Sequence, residues 1–286
     1  MWSDRLKAKE AEYTQHALDE LSSVSWATPL LSRLQSAGGL KSENMPIMFE
    51  VRFAYELHRA GVSAIYEYQA GVGNSAVEFK TETTPPWLVE LVSIRTSDAA
   101  KRAVRQTGLI YEQLLAPTPD DPARSEEAEM ITAEQKIGEK VFADGRPTKF
   151  PPVSDSLHLI VTDIRGYLDE GSDVFDYRQM AYGARGIPAQ YSWMIHYWEI
   201  VPGKTQPIRG LFERDNPLHS ARYVQERIHF LGFVREREFR EGEIRDLAYY
   251  LANPHIFSDQ DSASDSFRTY PLVKLKGANS SVDVMD

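Results

Sequence analysis

The pattern of apolar and polar positions predicts helices followed by strands over the first third of the chain. Gly73-Asn74 and Thr84-Pro85-Pro86 are typical turn residues, and they separate segments rich in β-branched and aromatic residues. Before those segments, apolar residues recur at helical spacing, and Pro46 marks a helix start. The predicted helices cover 4–22, 27–37 and 46–60, and the predicted strands cover 62–71, 75–82 and 87–94.

The rest of the chain alternates between the two patterns. Ser97-Asp98 is a capping pair that predicts a helix through about Leu115. Residues 117–156 hold many prolines and acids, which predicts a surface excursion with one short helix near 132–142. Further strands are predicted at 156–164, 191–200 and 227–238, and further helices at 174–182 and 241–251.

This order of elements predicts an α/β fold. A three-strand meander at 62–94 is followed by a helix that crosses to the apolar strand at 156–164. A crossover of that kind places the later strand parallel to a strand of the meander. We therefore expect a mixed central β-sheet flanked by helices.

Charge and composition narrow the function. The 286 residues include 32 basic and 42 acidic ones, a net charge of −10 that argues against coating nucleic acid through bulk charge. The net charge does not exclude a local basic groove. Clustered carboxylates would attract divalent cations. The absence of cysteine fits a reducing cytoplasm, and no apolar run approaches the ~18 residues of a membrane helix.

Three glutamates occupy positions where a carboxylate needs a partner. Glu90 is the one charge in the apolar run WLVELV, and Glu50 falls within the apolar stripe of the 46–60 helix. Glu78 lies twelve residues before Glu90, so a short hairpin sets the two opposite each other on one face. A structural ion pair for Glu90, and solvated positions for Glu50 and Glu78, are the alternatives. If the three converge, they form an oxygen site suited to Mg²⁺ or Mn²⁺, the chemistry of phosphodiester hydrolysis.

The order of these elements and acids resembles the PD-(D/E)XK nuclease superfamily, which has the restriction-endonuclease-like fold. Glu50 corresponds to the glutamate on the first core helix, Glu78 in SAVEF to the acid of the first half-motif, and Glu90 in VELV to the glutamate of the second. The resemblance covers about residues 46–165. It implies domains at 1–40 (a helical segment), 41–270 (the restriction-endonuclease-like domain with an insertion near 117–156) and 271–286 (a flexible tail).

The chain departs from that family at the lysine, because Val92 stands two residues after Glu90. Lys80, on the same strand face as Glu78, is the first candidate for the lysine's role. Ser93 or Arg95 just beyond Glu90, or the basic residues Lys101, Arg102 and Arg105 of the following helix, are the alternatives.

The resemblance implies a metal-dependent nuclease with Glu50, Glu78 and Glu90 on Mg²⁺ or Mn²⁺ and Lys80 as a catalytic residue. Its partner would be nucleic acid, with DNA favoured over RNA, and a homodimer or a larger protein complex stays open. The alternative is a catalytically inactive relative that serves as a nucleic-acid or protein interaction module, which the missing lysine favours.

A third interpretation places unrelated enzyme chemistry in the C-terminal half. It requires a pocket lined by Asp163, His196 or His229. In the same region, Tyr191, Trp193 and Tyr197 share one predicted strand face and could stack on bases, although aromatic residues at such spacing more often pack in a core.

Overall fold

The computed structural model describes residues 2–107, 110–113, 115–116, 120, 124–167, 172–201 and 203–273 of the chain. Most of the predicted tail, from residue 274 onward, lies outside the described residues, as does the side chain of Arg105.

A six-stranded mixed sheet forms the centre of the fold, in the order β1-β2-β3-β8-β11-β12. The first three strands are antiparallel neighbours, β8 runs parallel to both β3 and β11, and β12 returns antiparallel at the edge. The strands are β1 Ala64–Tyr68, β2 Val77–Thr81, β3 Trp87–Ser93, β4 Val104–Thr107, β5 Ile110–Gln113, β6 Phe142–Ala143, β7 Arg146–Pro147, β8 Leu157–Asp163, β9 Tyr197–Val201, β10 Lys204–Pro207, β11 Phe230–Val234 and β12 Tyr249–Ala252. The mixed sheet predicted from the sequence is confirmed.

Helices cover both faces of this sheet. Their bounds are α1 Trp2–Leu21, α2 Thr28–Ser36, α3 Met45–Arg59, α4 Asp98–Ala103, α5 Glu126–Glu139, α6 Val174–Tyr182, α7 His219–Arg227, α8 Glu243–Leu247 and α9 Gln260–Phe267. Apolar residues of α1, α2, α3 and α9 pack with one side of the sheet, and those of α5, α6 and α7 pack with the other. Strand β3 is therefore buried on both faces, as its continuous apolar run predicted.

Three predicted elements are wrong in part. The helix predicted from 98 to about 115 ends at Ala103, and β4 and β5 follow as a hairpin, because Val104, Thr107 and Ile110 are β-branched residues that favour strands. Of the strand predicted at 191–200, only β9 forms, after a 3-10 segment that begins just beyond Pro188. The predicted closing helix is likewise short, because the aromatic residues after it pair with β11 as β12.

A buried ion-pair network joins α1 and α3 to the ends of β8 and β11. The fully buried Arg52 of α3 bonds both carboxylate oxygens of Glu236, at 2.9 and 2.8 Å, and lies 2.9 Å from a Glu10 oxygen. Arg165 continues the network with ion pairs to Asp163 at 2.6 Å and to Glu10 at 2.9 Å. The N-terminal helix is thereby tied to the sheet through charges with little access to water.

Glu56 is a buried carboxyl that titrates near neutrality. Burial raises its pKa to about 7, although a hydrogen bond from the backbone of Gly242 opposes the shift. Among the described residues its Oε1 has no hydrogen-bond partner. This pKa is higher than the value of about 4.3 that Glu56 has in the unfolded chain. Protonation of Glu56 therefore makes its full contribution to stability below about pH 4.3, and that contribution is lost as the pH rises through about 7.

Glu56→Gln changes the free energy of unfolding by an amount that depends on pH. We expect this change to be about 3 kcal/mol more stabilising at pH 8.5 than at pH 4.5. Urea denaturation at both pH values measures this difference. The exposed Glu20→Gln of α1 is the control, and an equal pH dependence in both variants would contradict the buried, neutral Glu56.

Within the described residues, no helix has the length and apolar character needed to cross a membrane.

Candidate functional site

The hairpin of β2 and β3 opens where its two glutamates face each other. In the ladder between β2 and β3, Phe79 pairs with Val89. At the next position, Glu78 and Glu90, side chains join the two strands in place of backbone hydrogen bonds. The Glu78 amide donates to Glu90 Oε2 at 3.3 Å, and the Leu91 amide donates to Glu78 Oε2. The two carboxylates thus lie side by side in the gap between the strands.

Glu50 lies on α3 with its carboxylate buried. Its Oε2 accepts hydrogen bonds from Arg33 of α2 and from the Tyr66 hydroxyl of β1, each at 2.7 Å. Burial raises the pKa of Glu50, Tyr66 and Arg33 oppose the rise, and the negative charge of Glu90 adds to it. The cluster therefore consists of the adjacent carboxylates of Glu78 and Glu90, with Glu50 acting on them through its charge.

Two lysines that were not predicted from the sequence complete this cluster. Lys140, which caps the C-terminus of α5, places its Nζ 2.7 Å from Glu90 Oε1 and 3.7 Å from Glu78 Oε1. Lys149 makes a second ion pair with Glu90 Oε1. Its backbone amide donates to Ser75 Oγ at 2.7 Å, which anchors the segment beside β2.

The charged groups of the cluster shift one another's pKa values. Burial raises the pKa of Glu78 well above its ordinary range, and the neighbouring Glu90 raises it further. Burial alone would lower the pKa of Lys140, but Glu78 and Glu90 outweigh that effect and raise it. A cation beside the two carboxylates favours their ionised forms, and here that positive charge comes from Lys140 and Lys149.

The predicted substitutes for the family lysine lie elsewhere. Lys80 donates to the Tyr68 hydroxyl at 3.3 Å and covers its ring at 4.3 Å, and among the described residues it forms no ion pair with the three glutamates. Val92 packs in the apolar core. Ser93 Oγ is buried, Arg95 donates to the Glu43 carbonyl, Lys101 pairs with Asp98, and Arg102 is exposed on α4.

Asp163, His196 and His229 lie apart from one another, and His196 lines an open pocket near the N-termini of α5 and α6. Asp163 ends β8 and pairs with Arg165, whereas His229 precedes β11 at the opposite end of the sheet and accepts the His158 amide. His196 lies beside Asp176 of α6, at 3.3 Å.

The carboxylates at the hairpin could supply some, but not all, of the ligands of a hard divalent cation. In the described part of the chain, no three His, Cys, Asp or Glu side chains are arranged so that together they could hold a metal ion. Mg²⁺, however, commonly binds through one or two carboxylates, with waters and substrate phosphates as its other ligands. Glu78 and Glu90 are the two carboxylates placed to form such a pair, but a metal ion would have to displace existing partners. Glu90 Oε1 carries Lys140 and Lys149, and Glu90 Oε2 accepts the Glu78 amide. Glu50 Oε2 is likewise occupied by Arg33 and Tyr66.

Comparisons of the chain with protein-family models, with curated proteins and with solved structures gave no match. Function is therefore argued from the geometry of the cluster.

Proposed function

We propose that the chain has a restriction-endonuclease-like core and is a metal-dependent nuclease that hydrolyses phosphodiester bonds in nucleic acid. The observation that carries the proposal is the meeting of Glu78 and Glu90 with Lys140 and Lys149 at one opened hairpin, where the charge of Glu90 also acts on Glu50. The order of helix, three-strand meander, helix and parallel strand supports it further.

Glu78 and Glu90 would hold Mg²⁺ or Mn²⁺, with Glu50 next to them. An ion bound there would polarise a phosphoryl oxygen and lower the pKa of a bound water. The chain's own contribution is to fix the two carboxylates, because each accepts a backbone amide of the opposite strand. A rigid, partly dry site of this kind strengthens every charge interaction within it.

Lys149 and Lys140 would replace the family lysine. Both side chains are about one quarter exposed, so their ammonium groups can reach a phosphate at the mouth of the site. Arg33, which is 41% exposed, pairs with Glu50 from α2. With a divalent ion bound between the carboxylates, the two lysines would supply local attraction for a polyanion on a chain whose net charge is negative.

Cleavage assays test the proposal directly. Single- and double-stranded DNA and RNA are incubated with the full chain in Mg²⁺ or Mn²⁺, and EDTA is added in a parallel reaction. We expect metal-dependent cleavage of at least one substrate that EDTA abolishes. If none of the four is cut and Mn²⁺ does not bind, the nuclease proposal fails.

One observation favours an interaction module as the second candidate. The three carboxylates are balanced by three cations, Arg33, Lys140 and Lys149, so the cluster is electrically complete as a structural network. Such a module would bind nucleic acid or protein without cutting. Nucleic-acid binding that persists in EDTA, with no cleavage in any metal, would support it.

The lysines give a prediction that separates Lys80, the substitute chosen from the sequence, from Lys140 and Lys149, which contact Glu90. Lys149→Met and Lys140→Met are each expected to lower the cleavage rate by about 10²-fold, because each removes a charge aimed at the transition state. Lys80→Met is expected to change it less than about threefold, since a lost charge outside the site costs little. Single-turnover rates measure the effect, with thermal melting to verify folding; Lys80→Met as the most harmful change would overturn the assignment.

A further inference from the structure

A separate open pocket of about 550 Å³ lies between the N-termini of α5 and α6 and the segment that leads into β9. Its charged and aromatic lining includes Glu126, Glu127, Asp173, Asp176, Trp193 and His196. Lys140, at the opposite end of α5, belongs to the cluster described above, and α5 has 14 residues. At 1.5 Å per residue, the pocket is about 20 Å from that cluster along the helix.

His196 forms the back of this pocket and is held rigidly. Its ring nitrogens face Asp176 at 3.3 Å and Glu126 at 3.8 Å. The buried Gln179 bonds both the amide and the carbonyl of His196, at 3.1 Å each. The pocket is therefore preformed, because side chains of α5 and α6 fix its wall.

The pocket has a net negative charge even after the positive charges of its own residues and helix N-termini are added. Four carboxylates face one histidine, which carries at most one positive charge. The N-termini of α5 and α6 each add about half a positive charge, and Asp173 and Asp176 serve the cap of α6. A net charge of about −2 remains, so the pocket attracts cations and repels phosphates.

Exposed aromatic rings border the same carboxylates. Trp193 is 77% exposed, the largest exposed fraction among the large apolar side chains of the described residues, and Tyr197 is 49% exposed. Tyr191 packs on Phe175 beside them. Exposed Trp and Tyr side chains are typical of the central contacts of protein interfaces, and base stacking is disfavoured here by the surrounding acids.

We propose that this pocket is the docking site for an arginine-containing basic segment of a partner protein. A guanidinium can stack on the Trp193 indole while its planar N–H donors bond a carboxylate such as that of Glu127. An arginine suits both contacts better than a lysine, which lacks the planar fork. The docking site and the hairpin cluster are independent, so either proposal can fail alone.

Fluorescence anisotropy with a labelled Gly-Arg repeat peptide of nine residues tests this proposal on the full chain. We expect saturable binding that weakens as salt rises, and at least tenfold weaker binding in Trp193→Ala and in Glu126→Gln/Glu127→Gln. The matched lysine peptide should bind several-fold more weakly than the arginine peptide. The control is Asp261→Asn/Asp265→Asn, which removes two exposed acids from α9 and should leave binding unchanged.

Four results would overturn the proposal. The first is that the arginine peptide does not bind at millimolar concentration, and the second is that the α9 control loses as much binding as the pocket variants. The third is that free arginine amide binds as tightly as the peptide, and the fourth is that the chain forms a dimer that Trp193→Ala dissociates. The third would assign the pocket to a small organic cation, and the fourth would assign the surface to a second copy of the chain. Sedimentation velocity distinguishes the last case.

Discussion

Glu90→Gln is expected to lower the rate of metal-dependent phosphodiester cleavage by at least about 10³-fold, or about 4 kcal/mol of transition-state stabilisation. Glutamine keeps the shape of the side chain and can still accept the Glu78 amide. It lacks the negative charge that pairs with Lys140 and Lys149 and that a divalent ion requires. Single-turnover cleavage at saturating Mn²⁺ measures the change.

Glu82→Gln is the matched control for that experiment. Glu82 follows β2 in the same hairpin but is exposed, so its loss should leave the rate unchanged. Circular dichroism and thermal melting establish that both variants fold. A Glu90→Gln protein that retains more than about a tenth of the activity would exclude Glu90 as a ligand of the reaction's metal ion.

Arg52→Met is expected to lower the free energy of unfolding by about 3–5 kcal/mol. The substitution keeps an unbranched apolar stem but removes the guanidinium, which leaves the carboxylate of Glu236, 1% exposed, without its bidentate partner. A buried charge that loses its partner has neither water nor an opposite charge to stabilise it. Urea denaturation at pH 7 gives the change.

Two further variants sharpen this prediction. Arg222→Met removes an exposed partner of Glu226 on α7 and should leave stability unchanged. Arg52→Met/Glu236→Gln should recover part of the lost stability, because it also removes the unpaired charge. If Arg52→Met behaved like Arg222→Met, the network would not be a stabilising link between the N-terminal helix and the sheet.

The sequence was sufficient to predict features that depend on local pattern. Strand β3 is central because its apolar run leaves no solvent-facing side, and the short hairpin sets Glu78 opposite Glu90 because strand side chains alternate with period two. The helix predicted at 46–60 forms as α3, and Glu50 is buried on it.

The cations of the cluster could not be predicted in this way. Lys140 and Lys149 reach Glu90 from 50 and 59 residues further along the chain, and Arg33 reaches Glu50 from a different helix. No local spacing encodes such contacts, because they depend on how α2, α5 and the β6–β7 hairpin pack around the sheet. The overextended helix at 98–115 has a different cause, since its strong Ser97 cap is followed by β-branched residues that override it.

Both candidate functions therefore rest on what Glu78 and Glu90 bind when a divalent cation and a phosphate are offered. In a nuclease, the two carboxylates would give up part of their pairing with Lys140 and Lys149 to hold the metal ion, and the lysines would be available to the substrate. In an interaction module, the ion pairs persist and the cluster acts as a structural link between β3, α5 and the segment around Lys149.

Crystals of the full chain grown with Mn²⁺ and an oligonucleotide, and recorded at the manganese absorption edge, test the central claim most directly. The account predicts an anomalous peak about 2.1 Å from carboxylate oxygens of both Glu78 and Glu90. The absence of a peak there at millimolar Mn²⁺, with Lys140 and Lys149 still on Glu90, would contradict it.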